Sequence, residues 1–199
     1  MKRMLFILAL CLGAAGCLSY QKYTFQFDFN TGNVIKEYSD IRTQKGGGEE
    51  DYSPGKDWEL LKARVGEDFG KEYDPDVIKP VRAELFQEGE TLSGRETFMV
   101  QLPKAFPSKA AILERLHADT DQDLKFLAIK EEIFLVSGNK DIASSSGKKI
   151  VTEKNCFIVW PQEAVVFDFS LPEGTLGGTS LLPFYLSEQE EAAVPADQP

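Results

Sequence analysis

The sequence predicts an α+β fold built on antiparallel β-sheet, with about seven to nine strands and two short helices in the order hairpin-helix, hairpin-helix, β-meander. Three observations predict it. Apolar residues recur at every second position in several short runs, two stretches carry apolar residues at helical spacing, and turn-forming residues separate these segments.

The first strand is the clearest element. Tyr23, Phe25, Phe27 and Phe29 alternate with Thr24, Gln26 and Asp28, so one face of the strand is wholly aromatic. Asn30-Thr31-Gly32-Asn33 contains a glycine able to take positive φ, and Val34 to Ile41 should return as the second arm of a hairpin. Residues 44–55 read as an acidic loop, with Gly46-Gly47-Gly48, Glu49-Glu50-Asp51 and Pro54-Gly55. Asp57 is placed to cap the next helix, in which Trp58, Leu61, Val65 and Phe69 share one face.

After Asp74-Pro75-Asp76 the two-residue period returns. Val81 to Glu88 and Arg95 to Leu102 form a second hairpin around Gly89 to Gly94, burying Phe98, Val100 and Leu102. Pro107-Ser108 opens a second helix, with Ile112, Leu113 and Leu116 inward. Beyond it the pattern is strands only: Leu124 to Ile129, Ile133 to Ser137, Lys149 to Thr152, Cys156 to Trp160 and Val165 to Phe169. One domain over residues 23–186 is expected, and residues 187–199, acidic with Ala and Pro, read as a disordered tail.

Residues 1–17 carry the most specific signal. Lys2 and Arg3 precede an apolar run, Met4 to Leu12, that is too short to cross a bilayer as a helix. Small residues then lead to Cys17. Ala14-Ala15-Gly16-Cys17 resembles the lipobox of bacterial lipoproteins, with Ala14 where Leu is commonest. The resemblance implies that residues 1–16 are a cleaved signal peptide and that Cys17 carries lipid such as palmitate. It also implies a place in the cell envelope, facing the periplasm or exterior. Leu18, where Asp would favour retention at the inner membrane, points to the outer membrane. Residues 17–22 are then a short membrane tether, with five residues between Cys17 and Tyr23 spanning at most about 17 Å. The alternative is an ordinary secretory signal with Cys17 an incidental thiol.

Composition narrows the function classes. The formal net charge of −10 becomes about −12 once Lys2 and Arg3 leave, which disfavours nucleic acid as a partner. With Cys17 lipidated, Cys156 has no intramolecular disulfide partner, and its apolar surroundings mark an inert buried thiol.

Candidate chemical sites are few. Asp119, Asp121 and Asp123 have the alternation that opens a calcium loop, but Leu124 stands at the glycine position and Lys130 at the terminal glutamate position. A solvated connection is the simpler reading. Glu72, Asp74 and Asp76 are likewise read as a charged turn. His117 is the sole histidine, so a hydrolase triad or a zinc site would need it, and it is better placed as a cation at the C-terminal end of a helix. Ser144-Ser145-Ser146-Gly147 is turn composition, Gly147-Lys148-Lys149 lacks the rest of a phosphate loop, and Gly174 to Ser180 reads as a loop.

The aromatic face of Tyr23, Phe25, Phe27 and Phe29 either fills the core or lines a cavity for an acyl chain. The resulting expectation is a lipid-anchored envelope protein, non-catalytic and without a cofactor beyond its lipid. It would act through the membrane anchor and an envelope protein partner. The alternatives are a carrier of lipid or another apolar ligand, and a hydrolase with a carboxylate-based site.

Overall fold

The computed structural model describes residues 17–45, 52–101, 108–117, 124–172 and 177–193. The fold is α+β, with antiparallel strands in two sheets. The chain runs β1 (Cys17–Asp28), β2 (Asn33–Gln44), α1 (Pro54–Val65), β3 (Ile78–Glu88), β4 (Thr91–Val100), α2 (Lys109–His117), β5 (Lys125–Ile129), β6 (Glu132–Ser137), β7 (Lys148–Val151), β8 (Cys156–Pro161), β9 (Val166–Pro172), β10 (Thr179–Ser180) and α3 (Leu182–Ala193). The first sheet has the order β3-β4-β2-β1-β9, with β10 pairing onto β2, and the second has the order β5-β6-β8-β7. The expected meander therefore divides: β5 to β8 form their own sheet, while β9 leaves it to pair with β1.

Both hairpins form where turn chemistry placed them. Gly32 has φ +77°, its N–H donates to the Asp28 carbonyl at 2.8 Å, and a Cβ there would strike the Val100 carbonyl. The second turn is tighter than expected: it holds only Gly89 and Glu90, and β4 begins at Thr91. Helix α1 also differs in its ends. Ser53 occupies the N-cap position and Pro54 the first turn, so Asp57 lies inside the helix. Asp57 is fully buried and accepts a hydrogen bond from the Thr43 hydroxyl, tying α1 to β2 instead of capping it. The helix stops at Gly66, and Phe69 packs from the following turns onto Phe98, ring centroids 5.0 Å apart.

Two further expectations are corrected. Residues 17–22, expected as a tether, are the first half of β1, paired with β2 from Cys17 opposite Gln44. Residues 187–193, expected in a disordered tail, belong to α3, where Glu188 accepts from Trp58 Nε1 at 2.9 Å and Lys62 Nζ at 2.5 Å.

Strands β1 and β2 change phase together. Tyr23, Phe25 and Phe27 face inward with Val34, Lys36 and Tyr38. Beyond them Leu18 and Tyr20 face inward with Ile41 and Thr43. Asp40, with φ 53°, marks the level of the change, and the pairing skips from Tyr20↔Ile41 to Lys22↔Ser39.

The inner face of the first sheet is apolar at both ends. At one end Tyr23, Phe25, Phe27, Phe98, Phe167 and Phe169 pack against α2 and the second sheet through Leu113, Phe126, Leu135, Ile158 and Trp160. At the other, Ile41 and Leu92 pack against Trp58 and Leu61 of α1, Leu181 just before α3 and Leu182 at its start. Buried polar groups lie between. Lys36, 1% exposed, donates to the Tyr73 hydroxyl at 2.9 Å, with its ammonium 5.4 Å from the ring centroids of Tyr73 and Phe98. Glu96, its cross-strand neighbour, accepts from the Tyr38 hydroxyl at 3.1 Å and pairs with Arg64 Nε at 3.4 Å. Burial, with the Glu96 carboxylate beside it, pushes the Tyr38 phenol well above its usual range.

Candidate functional site

Cys17 is the first residue of β1. The aromatic face is core: Tyr23, Phe25 and Phe27 have no exposed surface, and Phe29 is half-buried. Phe25 stacks on Phe169 at 5.2 Å, Tyr23 meets Tyr38 at 5.3 Å and Phe169 at 6.0 Å, and Phe27 meets Phe29 at 5.9 Å. Lys109 seals the outer end, its ammonium 4.6 Å from the Phe29 centroid while donating to the carbonyls of Gln162 and Ala164 at 2.9 and 2.7 Å. Burial lowers the pKa of that ammonium.

Asp119, Asp121 and Asp123 lie outside the described residues. His117 is the last residue of α2, and the Cys156 thiol is buried in the core. Asp74 accepts from the Asp76 N–H at 3.0 Å, as a charged turn would arrange. Among the described residues, no three His, Cys, Asp or Glu side chains gather to hold a metal ion. No helix among them is long and apolar enough to cross a membrane.

The serine turn is organised by an acid that sequence reading did not single out. Asp168, outward on β9, accepts from the N–H groups of Ser145 and Ser146 at 2.7 and 2.8 Å, and from the Ser144 and Ser146 hydroxyls. Burial raises its pKa, but these bonds outweigh burial and hold the carboxyl below its ordinary range. Ser146 in turn accepts from Trp160 Nε1 at 2.9 Å, so the turn is anchored to the core from both sides.

Two outward sheet faces remain as surfaces that could meet a ligand. The first sheet carries a polar groove of about 350 Å³ lined by residues that include Gln26, Ile35, Arg82 and Arg95. Its guanidinium groups already have carboxylates: Arg95 bonds Glu37 at 2.7 Å, and Arg82 bonds Glu84 at 2.7 Å.

The second sheet presents the opposite chemistry. Its inward side chains, Phe126, Ile133, Leu135, Ile158 and Trp160, are core. Strand alternation therefore turns Leu127, Ile129, Phe134, Val136, Phe157, Val159 and Ile150 outward. Register aligns them in rows, Leu127-Phe134-Val159-Lys148, Lys125-Val136-Phe157-Ile150 and Ile129-Glu132-Pro161, the last placing the exposed Glu132 on the same face. Leu127 and Ile129 on β5 and Ile150 on β7 are 45%, 49% and 40% exposed, Phe134, Val136 and Phe157 between them are half-buried and Val159 is buried, so among the described residues the apolar surface is open along its two edge strands. The sequence carries a signal for it. Ile133-Phe134-Leu135-Val136 and Phe157-Ile158-Val159-Trp160 are continuous apolar runs, whereas an antiparallel strand with one solvated face alternates with polar residues.

Comparison with protein-family models, curated proteins and solved structures finds no match to this chain.

Proposed function

We propose that this chain is a lipid-anchored protein of the bacterial cell envelope that works as a non-catalytic binding module, with the outer face of β5, β6, β8 and β7 as its working surface. The observation that carries the binding role is that face: a backbone paired into a sheet, with apolar rows in register whose edge-strand members Leu127, Ile129 and Ile150 are exposed. The anchor rests on the run from Lys2 to Cys17 and its resemblance to a lipobox. Acyl chains on Cys17 contribute about 0.8 kcal/mol per buried methylene, enough for stable attachment when several are present. Leu18 favours the outer membrane.

Expression of the whole chain in a bacterium with labelled palmitate tests the anchor. The wild-type chain should take up label and sediment with membranes, and Cys17→Ser should do neither. Equal labelling of the two would refute it. Leu127→Glu tests the surface: the variant should keep its label and thermal stability while losing the cross-linked envelope species that the wild type forms. Unchanged cross-linking would remove the face from the proposal.

A further inference from the structure

The outer face of the second sheet is apolar in its centre, with Lys125 and Lys148 at opposite corners and the exposed carboxylate of Glu132 beside Ile129. Lys125 on β5 and Lys148 on β7 are both exposed and stand on the two edge strands, in different rows. Three strand spacings and one two-residue step separate them, roughly 15 Å across the diagonal. Phe134, Val136 and Phe157, half-buried, and Val159, buried, lie between. Residues 125–161 hold six lysines against four carboxylates, although the whole chain carries a net charge of −10.

We propose that this face binds a segment of another protein that has an apolar centre and carboxylates on both flanks, about 15 Å apart. The assignment rests on the binding role given above and names its partner chemistry. Charge separates the possible occupants. A second copy docking face to face would bring together two polyanions. An anionic bilayer would attract the corner lysines but repel the molecule as a whole. A short acidic-flanked segment laid along the diagonal from Lys125 to Lys148 meets the two lysines and the apolar rows, with Glu132 off that line, one two-residue step beyond Phe134. Position adds a second argument: Tyr23, Phe25 and Phe27 of β1 pack toward the second sheet, whereas Cys17 begins the strand ten residues before Phe27, a rise of about 33 Å. A lipid on Cys17 therefore enters at the end of β1 remote from this face.

The whole lipidated chain, purified in detergent or placed in nanodiscs, provides the test. Leu127→Cys takes an environment-sensitive maleimide dye, since Cys156 is buried. The probe is a soluble peptide with five apolar residues flanked by glutamates, and its lysine-flanked counterpart is the control. The glutamate peptide should shift the dye and saturate, with the control at least tenfold weaker. Lys125→Glu combined with Lys148→Glu should weaken binding by tenfold or more and reverse the preference between peptides. Both lysines face outward, and unchanged thermal unfolding of the double variant confirms that it folds. Equal binding of both peptides, or none, overturns the proposal. So does a dye already shifted in phosphatidylglycerol nanodiscs without peptide, which assigns the face to the membrane. Self-association abolished by Leu127→Glu overturns it in favour of a second copy. Palmitate labelling of Cys17 is a separate readout, so loss of this inference leaves the anchor standing.

Discussion

A single methyl group at Gly147 tests how closely the loop between β6 and β7 rests on the second sheet. A Cβ there would lie 2.7 Å from Cε2 and Nε1 of Trp160, and closer still to Cγ2 of Ile158. Ordinary carbon contacts are about 3.5–4.0 Å, so one partner must move by about 1 Å. Neither yields easily. Both side chains are fully buried, Ile158 is branched at Cβ, and Trp160 is fixed by its hydrogen bond to Ser146. Overpacking of this kind costs about 1–3 kcal/mol. With two rigid neighbours, about 2 kcal/mol is expected, a fall in Tm of about 4–8 °C for a chain of this size. Gly147 is outside the left-handed region, so without the contact alanine would stabilise by about 0.4–1 kcal/mol through the unfolded state. The expected sign is therefore opposite to the usual one. Gly138→Ala is the control, because a Cβ at Gly138 meets nothing within 4 Å. Thermal and urea unfolding, followed by tryptophan fluorescence and circular dichroism, give the comparison. A Gly147→Ala variant as stable as wild type would refute the close approach.

Asp168→Asn should lower stability near neutral pH by about 1.5–3 kcal/mol, the range for hydrogen bonds to a charged group. Because the folded-state pKa is lowered, the wild-type advantage should be complete above the ordinary aspartate range and vanish as pH falls through the folded value below about 3.9; unfolding midpoints across pH check this. Glu188→Ala removes the acceptor shared by Trp58 and Lys62, so hydrogen exchange should accelerate through residues 182–193 while the second sheet keeps its protection. Phe25→Ala should cost about 3–5 kcal/mol by urea unfolding, as for a ring deleted from a packed core. Retained lipid, seen by native mass spectrometry of wild-type protein, would count against that reading of the aromatic face.

The aromatic strand, both hairpins and the four short strands were legible because period-two alternation and turn residues are local properties. The start of β1 was hidden by the phase change. Tyr20 and Tyr23 both face inward, so alternation read backward from Phe27 stops at Tyr23 although the strand continues to Cys17. Helix α3 was hidden for another reason. Ser187 to Glu191 is polar in composition, and its order comes from Glu188 meeting Trp58 and Lys62, residues about 130 positions away. Asp57 looked like a cap because acids favour helix starts, but its partner, Thr43, comes from β2. The division into two sheets depends on β9 reaching β1 across the fold, a pairing no local pattern announces. The outward apolar face was present in the composition of β6 and β8, but a continuous apolar run specifies burial without saying what does the covering.

The position of β1 has a mechanical consequence. It is an interior strand, bonded to β2 from Cys17 to Phe27 and to β9 from Lys22 to Asp28. If Cys17 holds the chain to a membrane, tension on the protein enters along the axis of this strand. The antiparallel hydrogen bonds lie across that axis, so they are loaded in shear and share the force, whereas a load directed across the strands would unzip them one at a time. The first bonds to feel it are those between Cys17 and Tyr20 and their partners on β2, beside the smaller apolar cluster. The polar band of Lys36, Tyr38 and Glu96 separates that end from the aromatic core, which places the second sheet and its outer face on the far side of that core from the point of load.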